Sequence, residues 1–104
     1  IITVCYNSET TIAETIKSVF LQNVNIQYII IDGLSSDNTL NVINQYKSDC
    51  PSNVHMEIIS EKDTGIYNAM NKGLKLVSGD SVLFLNSGDT FSEEFDFLTF
   101  IDLV

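Results

Sequence analysis

The apolar positions of the chain fall into short blocks whose period changes from one block to the next. Ile1 to Tyr6 is a β-branched apolar run ended by Asn7, the pattern of a buried strand. From Ile12 the spacing shifts to three and four. Ile12, Ile16, Val19 and Phe20 share one helical face, and Thr11 with Glu14 fits a capping box, so a helix is predicted to end near Gln22-Asn23. Gln27 to Ile31 predicts a second buried strand, stopped by Asp32-Gly33. Leu40, Ile43 and Tyr46 give an apolar face to a second helix, capped by Ser36 or Asp37 and closed by Pro51. Val54, Met56 and Ile58 predict a third strand near the sheet edge. Ile66, Ala69, Met70, Gly73, Leu74 and Val77 form the stripe of a third helix, with Asp63 or Thr64 as its cap and Gly79 as its stop. Val82 to Leu85 predicts a fourth strand, broken by Asn86-Ser87-Gly88-Asp89, and Ser92 with Glu93 and Glu94 opens a fourth helix.

Strict alternation of strand and helix implies an α/β fold, a doubly wound and mostly parallel sheet with helices on both faces. A strand order of 3-2-1-4 sets the first and fourth strands side by side, and ligands of such sheets bind outside the carboxyl ends of the strands where the order reverses. Tyr6-Asn7 and Asn86 to Asp89 fall at that switch point, and Asp32-Gly33 falls beside it. Chain order alone therefore predicts that these polar tips converge.

Composition narrows the partners. The 104 residues are 44% hydrophobic and 18% charged, which suits one globular domain or part of one. A net charge of -9 argues against nucleic acid and against an anionic membrane surface as the main partner. A phosphate-bearing ligand would need a cation or backbone N–H groups to offset that charge. No apolar run approaches the roughly 20 residues of a membrane span, so no transmembrane segment is expected in this stretch. A basic start and small-residue cleavage site of a signal peptide are not visible. Cys5 and Cys50 lack metal-ligand spacing and read as free thiols. Strand-like residues at the first position and apolar ones at the last predict a longer protein.

Each candidate site residue has a plain alternative. Asp32 can accept from a base N–H or a ribose hydroxyl, or simply shape a turn with Gly33, Ser35 and Asp37. Tyr6 offers an aromatic face for a base, or is a rim tyrosine. Asp63 can touch a nucleotide, or cap the third helix. Lys72 can reach a phosphate, or lie exposed on the polar helix face. Gly73 costs about 1 kcal/mol against alanine in a helix, for which close packing on the sheet is sufficient reason. Asp89 can supply a carboxylate to a hard divalent cation, with Asn86 as a second oxygen, or the stretch is a turn. His55, the single histidine, reads as a surface or edge residue. No G-x-G-x-x-G motif or Walker loop is present.

Together these stretches resemble the front half of a family 2 glycosyltransferase with the GT-A fold, of the bacterial capsule and exopolysaccharide type. The resemblance runs through Ile2-Thr3-Val4-Cys5-Tyr6-Asn7, Ser18 to Gln22, Ile31-Asp32-Gly33-Leu34-Ser35-Ser36-Asp37-Asn38-Thr39, Ser60 to Gly73, and Phe84-Leu85-Asn86-Ser87-Gly88-Asp89. It implies that residues 1–104 are the nucleotide-sugar-binding part of a glycosyltransferase domain, with the remainder of the catalytic domain beyond them. Tyr6 and Asp32 match positions that hold the nucleotide's base and ribose, and Asp63 a position near the base. Asp89 matches the last acid of an Asp-rich motif that binds Mg²⁺ or Mn²⁺ on the donor diphosphate. Asn86 and Gly88 stand where acids usually stand.

The implied reaction transfers a sugar from a nucleotide-diphosphate donor such as a UDP-sugar to an acceptor hydroxyl on a saccharide or lipid-linked saccharide, in surface polysaccharide biosynthesis. The resemblance places it in the cytoplasm, peripheral to the inner face of the membrane. The general base is expected beyond residue 104, so this stretch alone is predicted to be inactive. Two rivals remain: a non-catalytic nucleotide-binding or interaction module, motivated by Asn86 and Gly88, and a receiver-like signalling domain with Asp32 as phosphoacceptor. The latter lacks an acidic pair after the first strand, where Tyr6-Asn7-Ser8 stand.

Overall fold

The computed structural model describes residues 1–62, 65–78 and 82–88. Its elements run β1 (Ile2–Cys5), α1 (Ile12–Phe20), β2 (Ile26–Asp32), α2 (Thr39–Ser48), β3 (Val54–Ser60) and α3 (Ile66–Leu74). β1 pairs with β2 and β2 with β3, all parallel, with Ile2 opposite Ile29, Cys5 opposite Asp32, and Asp32 opposite Ser60. Phe84 bridges Ile2 in parallel on the other side of β1. The amide of Leu85 donates to the Ile2 carbonyl at 2.9 Å and that of Ser87 to the Val4 carbonyl at 3.2 Å. The expected order of 3-2-1-4 is therefore present, although the fourth strand is a single bridge rather than a run over Val82 to Leu85.

β2 is covered on both sides, which explains its unbroken apolar run. Ile26, Tyr28 and Ile30 pack with Ile12, Ile16, Val19, Ile43, Met56 and Leu85. The alternate residues Ile29 and Ile31 pack with Ile2, Val4 and Ala69 of the α3 side. β3 is less buried: His55 is exposed and Glu57 to Ser60 are half-buried, as an edge strand should be.

Several local expectations are corrected. Thr11 is the N-cap of α1 but makes no side-chain cap bond, so there is no capping box. The Ser8 carbonyl instead accepts from the amides of Thr11 and Ile12 at 3.0 and 2.9 Å, leaving the Thr11 hydroxyl to the Ser8 carbonyl and Ser87. α3 starts after Gly65 and stops at Leu74, well before Gly79, and Leu74 is exposed rather than in the stripe. The turn that ends it is held by Gln27, whose amide nitrogen donates to the Leu76 carbonyl at 2.8 Å and whose oxygen accepts from the Ser78 amide at 2.9 Å. The Asp63 or Thr64 cap, the Gly79 stop and the fourth helix from Ser92 lie outside the described residues.

Gly73 has the packing reason that its helix cost requires. A Cβ built there would lie 2.8 Å from Ile2 Cγ2 and 3.1 Å from Ile2 Cδ1. The helix backbone rides directly on the first strand.

Candidate active site

At the carboxyl ends of the strands, the β1–α1 and β2–α2 loops are laced together. The Gly33 amide donates to the Cys5 carbonyl at 2.9 Å. The Asn7 amide donates to Ser35 Oγ at 2.8 Å, and the Ser36 amide to Asn7 Oδ1 at 2.8 Å. Ser8 donates its amide to Thr39 Oγ1 at 2.7 Å, and Glu9 its amide to Asp37 Oδ2 at 3.3 Å. Asp37 Oδ1 accepts from the Thr39 amide at 2.9 Å and from the Thr39 hydroxyl, an Asx turn just ahead of the helix, while the N-cap of α2 is Asn38 rather than the expected Ser36 or Asp37 and makes no side-chain cap bond. Two non-glycine residues in this lacing have left-handed backbones, Asn7 at φ 47° and Leu34 at φ 63°.

Asp32 lies beneath the lacing, fully buried. Its Oδ2 accepts from the Ser35 amide at 3.1 Å and the Ser60 hydroxyl at 2.7 Å. Its Oδ1 accepts from the Ser35 hydroxyl and, at 3.7 Å, from the Cys5 thiol. Both carboxylate oxygens are engaged within the chain, and a ligand hydroxyl would reach them only by displacing a serine. The Cys5 thiol is pushed up to about 12 by burial and then by the charge and hydrogen bond of Asp32, so it stays protonated and serves as a donor, not a nucleophile.

Between the β1 tip, the start of α3 and residues 86–87 lies a cavity of about 360 Å³ lined by Val4, Cys5, Tyr6, Ser8, Gly65, Ala69, Asn86 and Ser87. This is the switch point that the strand order predicted. Tyr6 is 62% exposed at its mouth, free to offer a ring face. Asn86 Oδ1 is buried and, among the described residues, has no hydrogen-bond partner. An amide oxygen without a hydrogen-bond partner is a lone-pair ligand of the kind a hard cation takes, so this residue fits a divalent ion. Among the described residues there is no cluster of three His, Cys, Asp or Glu that could hold a metal ion. The Gly88 amide is anchored to Thr15 Oγ1 at 2.9 Å, which fixes the strand-exit loop against α1.

Other candidates stand elsewhere. Lys72 is mostly covered, with Nζ 3.1 Å from Glu61 Oε1 and donating to the Lys62 carbonyl at 2.7 Å. It therefore ties α3 to the loop after β3, and it is absent from the cavity wall. Asp63 and Asp89 fall outside the described residues. A second concavity of about 500 Å³, lined among others by Asn25, Gln27, Asn53, His55 and Glu57, lies at the amino ends of β2 and β3. Its amides are already used: Asn53 Nδ2 donates to the Gln22 and Val24 carbonyls, and Gln27 Nε2 to Glu57 and Leu76. That concavity is a structural seam. Ser8 lines the cavity without having been singled out, since a serine in a turn composition carries no separate sequence signal.

A parallel α/β sheet with a cavity at the β1 tip is the class these features define. The family model for glycosyl transferase family 2 matches residues 1–102, and the chain belongs to that family. An uncharacterized glycosyltransferase of Mycobacterium tuberculosis is 39% identical over 95 residues, covering 88% of this chain and 34% of the relative. TuaG of Bacillus subtilis, named for teichuronic acid biosynthesis, is 32% identical over 95 residues, covering 90% of this chain and 37% of the relative. The structure of S. aureus TarS 1-349 in complex with UDP-GlcNAc superposes with a TM-score of 0.77 at 28% identity, covering 98% of this chain and 28% of that one. The chain thus spans about a third of the length of these curated relatives. Among the described residues no helix is long and apolar enough to cross a membrane.

Proposed function

We propose that this chain forms the donor-binding part of an enzyme that transfers a sugar from a nucleotide-diphosphate donor to an acceptor hydroxyl during surface polysaccharide synthesis. The observation that carries this reading is the cavity at the switch point, lined by exposed Tyr6 and by Asn86, whose Oδ1 has no hydrogen-bond partner among the described residues. A UDP-sugar is the donor favoured by the likeness to TarS. A saccharide or lipid-linked saccharide is the acceptor, and the work is done in the cytoplasm at the inner face of the membrane.

In this reading Tyr6 stacks on the base, Asp63 lies near it, and Asp32 acts on the ribose side by fixing Ser35 and the loop above it. Asn86 and Asp89 are the residues that would hold Mg²⁺ or Mn²⁺. When bound, such a cation offsets the charge of the diphosphate, which a chain of net charge -9 otherwise repels. The acceptor oxygen forms a bond to the anomeric carbon, the bond from that carbon to the phosphate oxygen breaks, and the nucleoside diphosphate leaves. The acceptor's proton passes to a general base outside these residues.

Calorimetric titration of the intact protein with UDP and with GDP, with and without Mn²⁺, tests this reading. Mn²⁺-dependent binding that is lost in Asp89→Ala supports it. Nucleotide binding that ignores both the cation and the substitution supports the alternative, a non-catalytic module, for which Asn86 and Gly88 in place of acids are the motive.

A further inference from the structure

We propose that Thr15 is a positioning residue for the donor's cation: from the buried face of α1 it holds the loop that carries Asn86 and leads into Asp89. This rests on the donor-site reading above. Thr15 is fully buried on a helix face that also buries Ile12, Ile16 and Val19. A hydroxyl in such a face costs free energy unless it is hydrogen-bonded, and an apolar residue would serve packing alone. Thr15 Oγ1 accepts from the Gly88 amide at 2.9 Å, a tie between residues 73 apart in sequence. One turn earlier on the same side, Thr11 Oγ1 lies 3.1 Å from Ser87 Oγ. From the strand side, the Ser87 amide donates to the Val4 carbonyl at 3.2 Å.

Ser87 and Gly88 are thus gripped from α1 and β1 together. Gly88 has φ 95°, a left-handed backbone that glycine adopts freely and that any side chain makes costly. Glycine here serves the shape of the loop rather than the count of carboxylates. The described residues hold no cluster of three His, Cys, Asp or Glu, so the ion depends on few protein oxygens. Its affinity then depends on how firmly those oxygens are held. Asn86 Oδ1 is buried without a hydrogen-bond partner among the described residues, and the ties one and two residues further on limit where it can stand.

The test compares the intact wild-type protein with Thr15→Val and Thr15→Ser. Valine keeps the branched shape and removes the acceptor, whereas serine keeps the acceptor. Mn²⁺ affinity is read with UDP present, from the electron paramagnetic resonance of free Mn²⁺. UMP affinity is read by calorimetry in cation-free buffer, and protection of the Gly88 amide by hydrogen exchange without ligand. In Thr15→Val, Mn²⁺ should bind about tenfold more weakly and the Gly88 amide should exchange faster, with UMP affinity unchanged; Thr15→Ser should stay close to wild type. Unchanged Mn²⁺ affinity in Thr15→Val overturns the proposal while leaving the donor site standing. An equal loss in Thr15→Ser overturns it too, because packing rather than the acceptor would be responsible. An equal loss of UMP affinity also overturns it, since it marks a general loosening of the domain. An unprotected Gly88 amide in the wild type overturns it with no variant needed. A wild type whose UDP complex takes up no Mn²⁺ overturns the donor-site reading and this inference together.

Discussion

Replacing Gly73 with alanine is the sharpest test of how α3 seats on the sheet. Helix propensity alone favours the change by about 1 kcal/mol, since glycine is the poorest ordinary helix former. Packing opposes it. The new Cβ meets Ile2 Cγ2 at 2.8 Å, when carbon atoms rest near 3.5–4.0 Å, so one of the two must move by roughly 1 Å. Ile2 cannot yield easily. Its amide and carbonyl are bonded at 2.9 Å to Leu83 and Leu85, it pairs with Ile29, and Cγ2 sits on the branched carbon beside the backbone. Overpacking of this kind costs about 1–3 kcal/mol. The net expectation is destabilisation by roughly 1 kcal/mol, read as a fall in the urea midpoint of roughly 0.3–1 M with an unchanged slope. The partner of the clash is identified by a cycle with Ile2→Ala, which alone should cost about 2–5 kcal/mol. In that background Gly73→Ala should become neutral or stabilising, because the propensity gain remains and the obstruction has gone. A stabilised single variant, or strict additivity of the two changes, would refute the close seating of α3 on β1.

Asp37→Ala should lower stability, since it removes the acceptor for the Thr39 and Glu9 amides; a lower midpoint in denaturant titration reads it. Cys5 should resist an exposed-thiol reagent in the folded state while Cys50 reacts faster, as followed by mass spectrometry. Because the folded Cys5 pKa, about 12, lies above its ordinary value of 9.0, the folded state binds more protons between those values. Stability is thus complete below pH 9 and falls as the pH rises toward 12, and Cys5→Ser should lessen that fall in denaturation series. Lys72→Met should weaken UDP and UMP binding by a similar factor and couple with Glu61→Gln in a double-mutant cycle, as loop anchoring requires; a loss confined to UDP would instead mark a phosphate contact.

The order of elements and the place of the crevice were legible because β2 is apolar without a break from Tyr28 to Ile31 and β1 nearly so, which leaves a doubly covered parallel sheet as the consistent arrangement. Gly73 was legible as a packing glycine for the same reason: a glycine inside an apolar helical stripe needs a neighbour that is too close. The site was less legible. Thr11 and Glu14 match a capping box, yet the Ser8 carbonyl reaches the first helical amides first, a contact set by tertiary lacing rather than spacing. Asp32 looks the same in sequence whether it faces a ligand or its own serines, and only burial shows that its oxygens are engaged by Ser35, Ser60 and Cys5. Lys72 was expected toward phosphate or solvent, and its bonds to Glu61 and Lys62 depend on where the loop after β3 folds. The left-handed backbone of Leu34 has no sequence signal, because leucine is not a residue that favours it.

The most direct test of the central claim is a crystal structure of the intact protein with UDP and Mn²⁺. The base is expected at Tyr6, in the cavity bounded by Gly65, Ala69 and Asn86, and the cation within bonding distance of Asn86 Oδ1 or Asp89. Nucleotide bound instead at the amino ends of the strands, among Gln27, Asn53 and Glu57, would contradict it.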